Sequence, residues 1–325
     1  MPAMMGYMRI TTLADVEAAA ARVAGRVVRT PLLAAPWGDP RVPLFLKPES
    51  LQPTGAFKLR GATNAVCLLD GRARGTGVVT HSSGNHAQAL AWAARDAGVH
   101  AVIVMPDDAP AVKVEATRAL GAEVLLVPVA EREEAAEEVR RERGATMVPP
   151  YDDAAVIAGQ GTVGLEVAMD LPEVSTVLVP VSGGGLISGV AAAVKALCPR
   201  VRVVGVEPEL AGDLAEGFAA GRRTSWTVEQ TGRTIADGLR VPCVGELTWE
   251  HITALVDDVL TVTEDSLLEA MRTLATRSRL VAEPSGATAT AAYLTHRDRL
   301  PDGPVVAVVS GGNVAPDLLA RVLSH

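Results

Sequence analysis

The sequence predicts an α/β protein built on two open, twisted parallel sheets with helices on both faces. Three observations carry that expectation. Short apolar runs of strand length alternate with helical segments along most of the chain, the rhythm of βαβ units. The rhythm breaks near Met147 to Asp153, where Pro149-Pro150 stops regular structure, and then restarts. Turns rich in Ser, Gly and Asn stand where strands end and helices begin, and ligands in open α/β sheets bind outside those carboxyl ends. With 325 residues the chain is long enough for about two domains and a substantial core.

Thr12 can cap a helix running to about Val23, with Asp15 in its first turn, and Thr30-Pro31 ends that unit. Val42 to Lys47 reads as a buried strand, with Pro43 tolerable at its start. Pro53 and Gly55 break the structure before a helix-compatible segment, Leu59 to Leu69. Three strand–helix pairs follow: Gly77–His81 with Asn85–Ala97, Ala101–Met105 with Val112–Leu120, and Glu123–Val127 with Glu131–Arg143. After the prolines come a helix over Ala154–Asp170, a strand over Thr176–Pro180, a helix over Leu186–Leu197 and a strand over Val201–Val206. A Gly-rich stretch then reads as irregular as far as a short extended run, Val259–Val262. Thr263 caps a helix from Glu264 to about Arg277. A helix over Gly286–His296, a strand over Val305–Val309 and a last helix after Pro316 complete the chain.

Composition excludes several classes. Hydrophobic residues make up 48% and charged residues 21%, the balance of a soluble globular protein. A net charge of -8 gives no electrostatic reason to bind nucleic acid or an anionic membrane. The mixed-sign run Glu131 to Arg143, Arg132 included, reads as a solvated helix face. Cys67, Cys198 and Cys243 have no metal-type spacing and read as buried thiols in a reducing compartment. No signal peptide or membrane-length apolar run is apparent, so a cytoplasmic protein is expected.

Five loops hold residue types that carry chemistry. Lys58 sits at a strand-to-helix junction, where its amine can reach the space in which neighbouring loops meet; a solvated lysine at a helix start would have the same sequence. His81-Ser82-Ser83-Gly84-Asn85-His86 opens a helix whose backbone N–H groups attract a carboxylate or phosphate, unless it is a plain capping turn. Pro180 to Gly189 holds Gly183, Gly184 and Gly185 in succession, so its N–H groups can curl around an anion; a tight packing turn is the alternative. The segment is neither GxxxxGK[ST] nor GxGxxG, because position 188 is Ser188, and a phosphate monoester suits it better than a nucleotide. Val309-Ser-Gly-Gly-Asn313 ends the last strand with Ser310 able to face the same crevice or merely to cap the turn. Glu207 and Asp213 offer oxygen ligands to a hard cation such as Mg²⁺ or Ca²⁺, or are two solvated carboxylates. A reactive lysine, a phosphate cradle and no cluster of metal ligands together suggest pyridoxal phosphate, joined to the lysine and acting as an electron sink.

The segments LQPTGAFKLRGATNAV, THSSGNHAQALAWAA, VIAGQGTVGLE, PVSGGGLISGVA, GVEPELAGD, TIADGL, VAEPSGATA and VSGGNV are similar in order and spacing to those of the fold-type II pyridoxal-phosphate enzymes. The chain resembles the serine/threonine dehydratase and serine racemase group over nearly its whole length. The resemblance implies a tryptophan-synthase-β-like fold, with residues 1–53 plus 148–325 as a large cofactor domain, 54–147 as a small domain, and the active site in the cleft between them. It implies a homodimer through the large domain. It makes Lys58 the lysine that holds the cofactor, with Phe57 near the ring, Asn85 on the ring 3-oxygen, and Ser310 on the pyridine nitrogen. The amides of Gly183, Gly184, Gly185 and Leu186 hold the phosphate. The Gly238 backbone lines the cofactor, and Glu283 lies close to the substrate side. Ser83 matches an acid/base on the ring face opposite the lysine, and the loop Ser82, Ser83, Asn85 and His86 takes the substrate carboxylate. Glu207, the Ala211 carbonyl and Asp213 match a divalent-cation site for Mg²⁺, Ca²⁺ or Mn²⁺.

The implied activity is β-elimination from L-threonine or L-serine to a 2-oxo acid and ammonia. Lys58 takes the Cα proton, and a neutral Ser310 leaves a weaker electron sink that suits rapid loss of the β-hydroxyl. Serine racemisation using Ser83, dehydration of threo-3-hydroxyaspartate, and cofactor binding without turnover are the alternatives. The resemblance also puts Arg132 roughly where an arginine acts near the racemase active site, but its place in a charged helix makes it read as solvated.

Overall fold

The computed structural model describes residues 9–82, 84–109 and 111–324. The chain begins with α1 (Leu13–Val23), β1 (Leu33–Ala35), β2 (Leu44–Pro48), α2 (Lys58–Cys67) and α3 (Gly71–Thr76). It continues through β3 (Val78–His81), α4 (Asn85–Asp96), β4 (Ala101–Pro106), α5 (Ala111–Ala119), β5 (Glu123–Val127), α6 (Arg132–Arg143) and β6 (Thr146–Met147). Next come α7 (Ala154–Asp170), β7 (Thr176–Pro180), α8 (Gly185–Leu197), β8 (Arg202–Pro208), α9 (Asp213–Ala220), α10 (Val228–Thr231) and α11 (Glu246–Leu255). The last elements are β9 (Asp258–Val262), α12 (Glu264–Thr273), α13 (Pro284–His296), β10 (Val305–Val309) and α14 (Pro316–Ser324).

Two sheets result, as the strand–helix rhythm predicts. One is six-stranded in the order β1-β2-β10-β7-β8-β9; the other is four-stranded in the order β5-β4-β3-β6. Every pairing is parallel except β1 with β2, which is antiparallel. The central strands β10 and β7 are buried at every residue, so they read as unbroken apolar runs rather than as alternation. Separate apolar clusters lie on the two faces of the larger sheet: Leu46, Leu178, Val206 and Ala289 on one, Val177, Val190, Val203 and Val308 on the other.

A buried charge cluster ties β2 to α2 and α7. Arg60 donates to both oxygens of Glu49, at 2.7 and 2.8 Å, and to both oxygens of Glu166, at 2.7 and 2.9 Å. Lys47 adds a 2.6 Å bond to Glu166. Burial raises the Glu49 carboxyl, but the Arg60 guanidinium outweighs it and holds the group below the usual range. Arg60 lies two residues beyond Lys58, so the cluster anchors the first turn of α2.

Several elements differ from expectation. Thr12 and Asp15 do form a capping box on α1. The helix expected over Leu59–Leu69 stops at Cys67, and α3 starts afresh from the Asp70 cap. The stretch read as irregular after Val206 contains α9, α10 and α11. No residue of its own caps α11; the carboxylate of Asp152 does so from elsewhere in the chain. The helix from Glu264 widens into a π turn over Leu274–Ser278 and ends at Arg279, whose φ of 61° is left-handed. The three cysteines are free and half-buried rather than buried. Among the described residues no helix is long and apolar enough to cross a membrane.

Candidate active site

A cavity of ≈ 670 Å³ opens where the two sheets' strand-end loops meet. Its wall includes Phe57, Lys58, Ser82, Asn85, His86, Gly183, Gly184, Gly185, Leu186, Gly238, Glu283 and Ser310, residues from widely separated segments. Ser83 lies outside the described residues.

Lys58 opens α2, and its amine donates to the Pro150 carbonyl at 2.6 Å. The side chain is half-open to the cavity but enclosed by protein, and this desolvation pulls the amine down to about 8. The amine also stands 5.1 Å from the centre of the Phe57 ring. The backbone N–H of Phe57 donates to the Ser310 carbonyl at 3.0 Å, and an isolated bridge joins Ala56 to Gly311. The lysine is thereby fastened to the loop that carries Ser310.

The glycine loop lies between the end of β7 and the start of α8. Gly184 has φ 93°, a conformation that side chains rarely adopt. A Cβ at Gly183 would run into the Tyr151 ring, so that ring covers the loop. The opening amides of α8 and the positive end of its dipole can attract an anion here.

Asn85 is held on both sides: its Nδ2 donates to Glu283 Oε1 at 2.7 Å, and Asn313 Nδ2 donates to its Oδ1 at 2.7 Å. Glu283 is buried, which pushes its carboxyl up to about 7; Asp237 adds to the rise, while the Asn85 hydrogen bond and Lys113 oppose it. Gly238 N–H donates to Ser285 Oγ at 2.9 Å. Ser310 is buried, with its hydroxyl 3.4 Å from the Ser285 carbonyl. The Ser82 hydroxyl accepts from Gly84 N–H at 3.3 Å.

The His86 ring is bonded to the backbone. Its Nε2 lies 2.9 Å from the Val148 carbonyl, and burial, aided by the Lys58 charge, drives the ring down to about 3. The imidazole is neutral and fixed to the backbone beyond β6, so it offers no cation to a substrate carboxylate. The start of α4, not the His86 ring, supplies the electropositive surface there.

Sequence reasoning missed part of the wall. Arg132, read as solvated, is half-buried and lines the cavity at the start of α6. Lys113 and Asp237 also line it and form a 2.8 Å ion pair between α5 and the loop before Gly238. Tyr151 was detectable as an aromatic next to Pro149-Pro150, but nothing in its local sequence points it at a glycine loop.

Glu207 and Asp213 stand apart from the cavity. Both are buried, and each carboxyl is pushed up, Asp213 to about 7, chiefly by burial; Asp213 adds to the rise at Glu207. Glu207 accepts N–H bonds from Leu214 and Ala215, whereas Asp213 Oδ2 is buried with no hydrogen-bond partner among the described residues. Among the described residues no group of three or more His, Cys, Asp or Glu side chains is placed to hold a metal ion.

An amine whose hold on its proton is lowered by burial, lining one cavity with a glycine loop at a helix start, suits a ligand bearing both a carbonyl and a phosphate. Comparison with known proteins agrees with that chemistry. The catabolic L-threonine dehydratase TdcB of Staphylococcus aureus (strain USA300) is 41% identical over 324 residues, covering 97% of this chain and 93% of that protein. The serine racemase of Oryza sativa subsp. indica is 42% identical over 309 residues, covering 92% and 90%. The solved structure of maize serine racemase superposes with a TM-score of 0.90 at 40% identity, covering 97% of this chain and 98% of that one. The family described as pyridoxal-phosphate dependent enzyme matches residues 23–311. The cradle, the lysine and the family match converge, and this chain belongs to the pyridoxal-phosphate dependent enzymes.

Proposed function

We propose that this protein is a pyridoxal-phosphate-dependent ammonia-lyase that converts L-threonine, L-serine or both to a 2-oxo acid and ammonia. The observation that carries the proposal is that Lys58, bonded to the Pro150 carbonyl, and the glycine loop line one cavity. Bound pyridoxal phosphate supplies an electron sink for the pair left at Cα when a proton departs. The amides of Gly183, Gly184, Gly185 and Leu186 would hold its phosphate. Asn85 would hold the ring's 3-oxygen, Phe57 and the Gly238 backbone would flank the ring, and the Ser310 hydroxyl would meet its nitrogen. Glu283 lies against Asn85 on the substrate side. Lys58 in its free-base form takes the Cα proton and can return it to the departing β-hydroxyl. The backbone of the loop Ser82 to His86 and the start of α4 receive the substrate carboxylate, while the His86 ring keeps that loop in place. Ser310 contributes a hydroxyl where a carboxylate would stabilise a protonated ring, and the weaker sink favours fast loss of the β-hydroxyl.

A second reading is serine racemisation. It is favoured by a 42% identical relative named as a serine racemase. It requires Ser83 as the acid on the face opposite Lys58. We further assign residues 1–53 plus 148–325 to a large domain and 54–147 to a small one, and infer a cytoplasmic homodimer. A divalent cation, Mg²⁺, Ca²⁺ or Mn²⁺, between Glu207, the Ala211 carbonyl and Asp213 would give the buried Asp213 oxygen a partner.

The test supplies purified protein and pyridoxal phosphate with L-threonine, L-serine and L-threo-3-hydroxyaspartate in turn. Both 2-oxo acid and D-amino acid are followed. Rapid 2-oxo acid with little D-isomer supports the lyase and names its substrate. D-serine as the main product replaces it with the racemase, and bound cofactor with neither product leaves a protein that holds pyridoxal phosphate without turnover.

A further inference from the structure

We propose that Asp152 is a positioning residue for the phosphate end of the site, acting through α11 and Thr248; the inference rests on the pyridoxal-phosphate reading above. Asp152 Oδ2 accepts from Glu246 N–H and Oδ1 from Thr248 N–H, both at 3.1 Å. These are opening amides of α11, whose N-cap is Gly245 and which has no cap from its own sequence. A Cβ at Gly245 would overlap Asp152 Oδ1, so only glycine admits the carboxylate.

The capped helix in turn grips the glycine loop. The Thr248 hydroxyl donates to the Gly183 carbonyl at 2.7 Å, and the Gly245 N–H donates to the same oxygen at 3.2 Å. Thr248 is fully buried, and a Cβ at Gly184 would lie 2.8 Å from its side chain. With its carbonyl taken by α11, the Gly183–Gly184 peptide is fixed before an anion arrives. A cradle ordered in advance binds more tightly than one that must be ordered by its ligand.

Three consecutive residues thus frame the site. The Pro150 carbonyl accepts from Lys58, the Tyr151 ring covers Gly183, and the Asp152 carboxylate sets α11. The segment holds the amine and the anion cradle at a fixed separation, which a cofactor joined at both ends requires.

The experiment titrates the apo protein with pyridoxal phosphate, reading the visible absorbance of the protein-bound cofactor. The proteins are wild type, Asp152→Ala, Thr248→Val, Thr248→Ser and the Asp152→Ala/Thr248→Val double variant. Asp152→Ala and Thr248→Val should each weaken the cofactor about tenfold, the effect of losing one or two such hydrogen bonds. Thr248→Ser should restore affinity, and the double variant should be weakened by less than the product of the single effects, because both act on one carbonyl. The loss should fall on cofactor affinity rather than on kcat at saturating cofactor. If Asp152→Ala does not fold, Thr248→Val and Thr248→Ser carry the test alone. Variants with lowered melting temperature but wild-type cofactor affinity would overturn the inference and leave the cofactor reading standing. A wild-type protein that takes up no pyridoxal phosphate would overturn both.

Discussion

The amine of Lys58 donates to the carbonyl oxygen of Pro150 at 2.6 Å, joining the first residue of α2 to the segment that leads from the small sheet back to the large one. The contact keeps the side chain in the cavity wall, where desolvation lowers its proton affinity. A lysine in water would hold its proton to about 10.4, leaving little free base to attack a carbonyl or accept a proton near neutrality.

The first prediction concerns that amine. Its free-base form is the nucleophile, so the rate at which apo protein takes up pyridoxal phosphate should climb with pH and level off above about 8. Stopped-flow absorbance between about pH 6 and 10 measures it. A rate that keeps rising to the top of that range would mean that the amine is an ordinary exposed lysine.

Glu283 makes a stability prediction. Its folded-state carboxyl is raised from 4.5 to about 7, so the group contributes stability at low pH that is lost as pH rises through about 7. Glu283→Gln keeps an oxygen and removes the buried charge. The apo variant should match wild type near pH 4 and exceed it at pH 8 by about 2–3 kcal/mol. Urea unfolding at the two pH values checks this, and a variant less stable than wild type at the higher pH would refute it.

The buried cluster around Arg60 predicts the opposite sign. Arg60→Leu leaves Glu49, fully buried, without its main counter-charge, whereas Lys47 still serves Glu166. A loss of about 3–5 kcal/mol is expected at neutral pH. Denaturant midpoints with an unchanged m-value would measure it, and a loss under about 1 kcal/mol would show that the cluster relaxes or admits water.

Divalent cations should stabilise the protein through Glu207 and Asp213. At about a hundredfold excess over Kd, Mg²⁺ should add about 2.7 kcal/mol, and a chelator should remove it. Glu207→Gln should erase the response. A wild-type melting curve indifferent to Mg²⁺, Ca²⁺, Mn²⁺ and chelator would leave the pair as two buried acids without a metal.

What was legible in the sequence was what local chemistry determines. Thr12 with Asp15 announced α1, and apolar runs such as Val305–Val309 announced the strands. Lys58, Asn85, the glycines 183–185 and Ser310 could be read because each stands in a turn between a strand and a helix, and all of them line one cavity. What escaped depended on distant partners. The cap of α11 comes from Asp152, so the helix lay hidden in a Gly-rich stretch. The charge run that looked solvated turns Arg132 into the cavity because α6 begins there. The bond from His86 Nε2 to the Val148 carbonyl also joins residues far apart in the chain. Strand order likewise rests on long-range pairing, which put β10 between β2 and β7.

The most direct measurement compares wild type and Lys58→Ala, each saturated with pyridoxal phosphate, for 2-oxo acid formation from L-threonine and L-serine. The wild type should turn over steadily, and the variant, which lacks the group that takes the Cα proton, should lose about 10³-fold or more. A Lys58→Ala protein that still turned over either substrate at a comparable rate would contradict the assignment of the chemistry to Lys58.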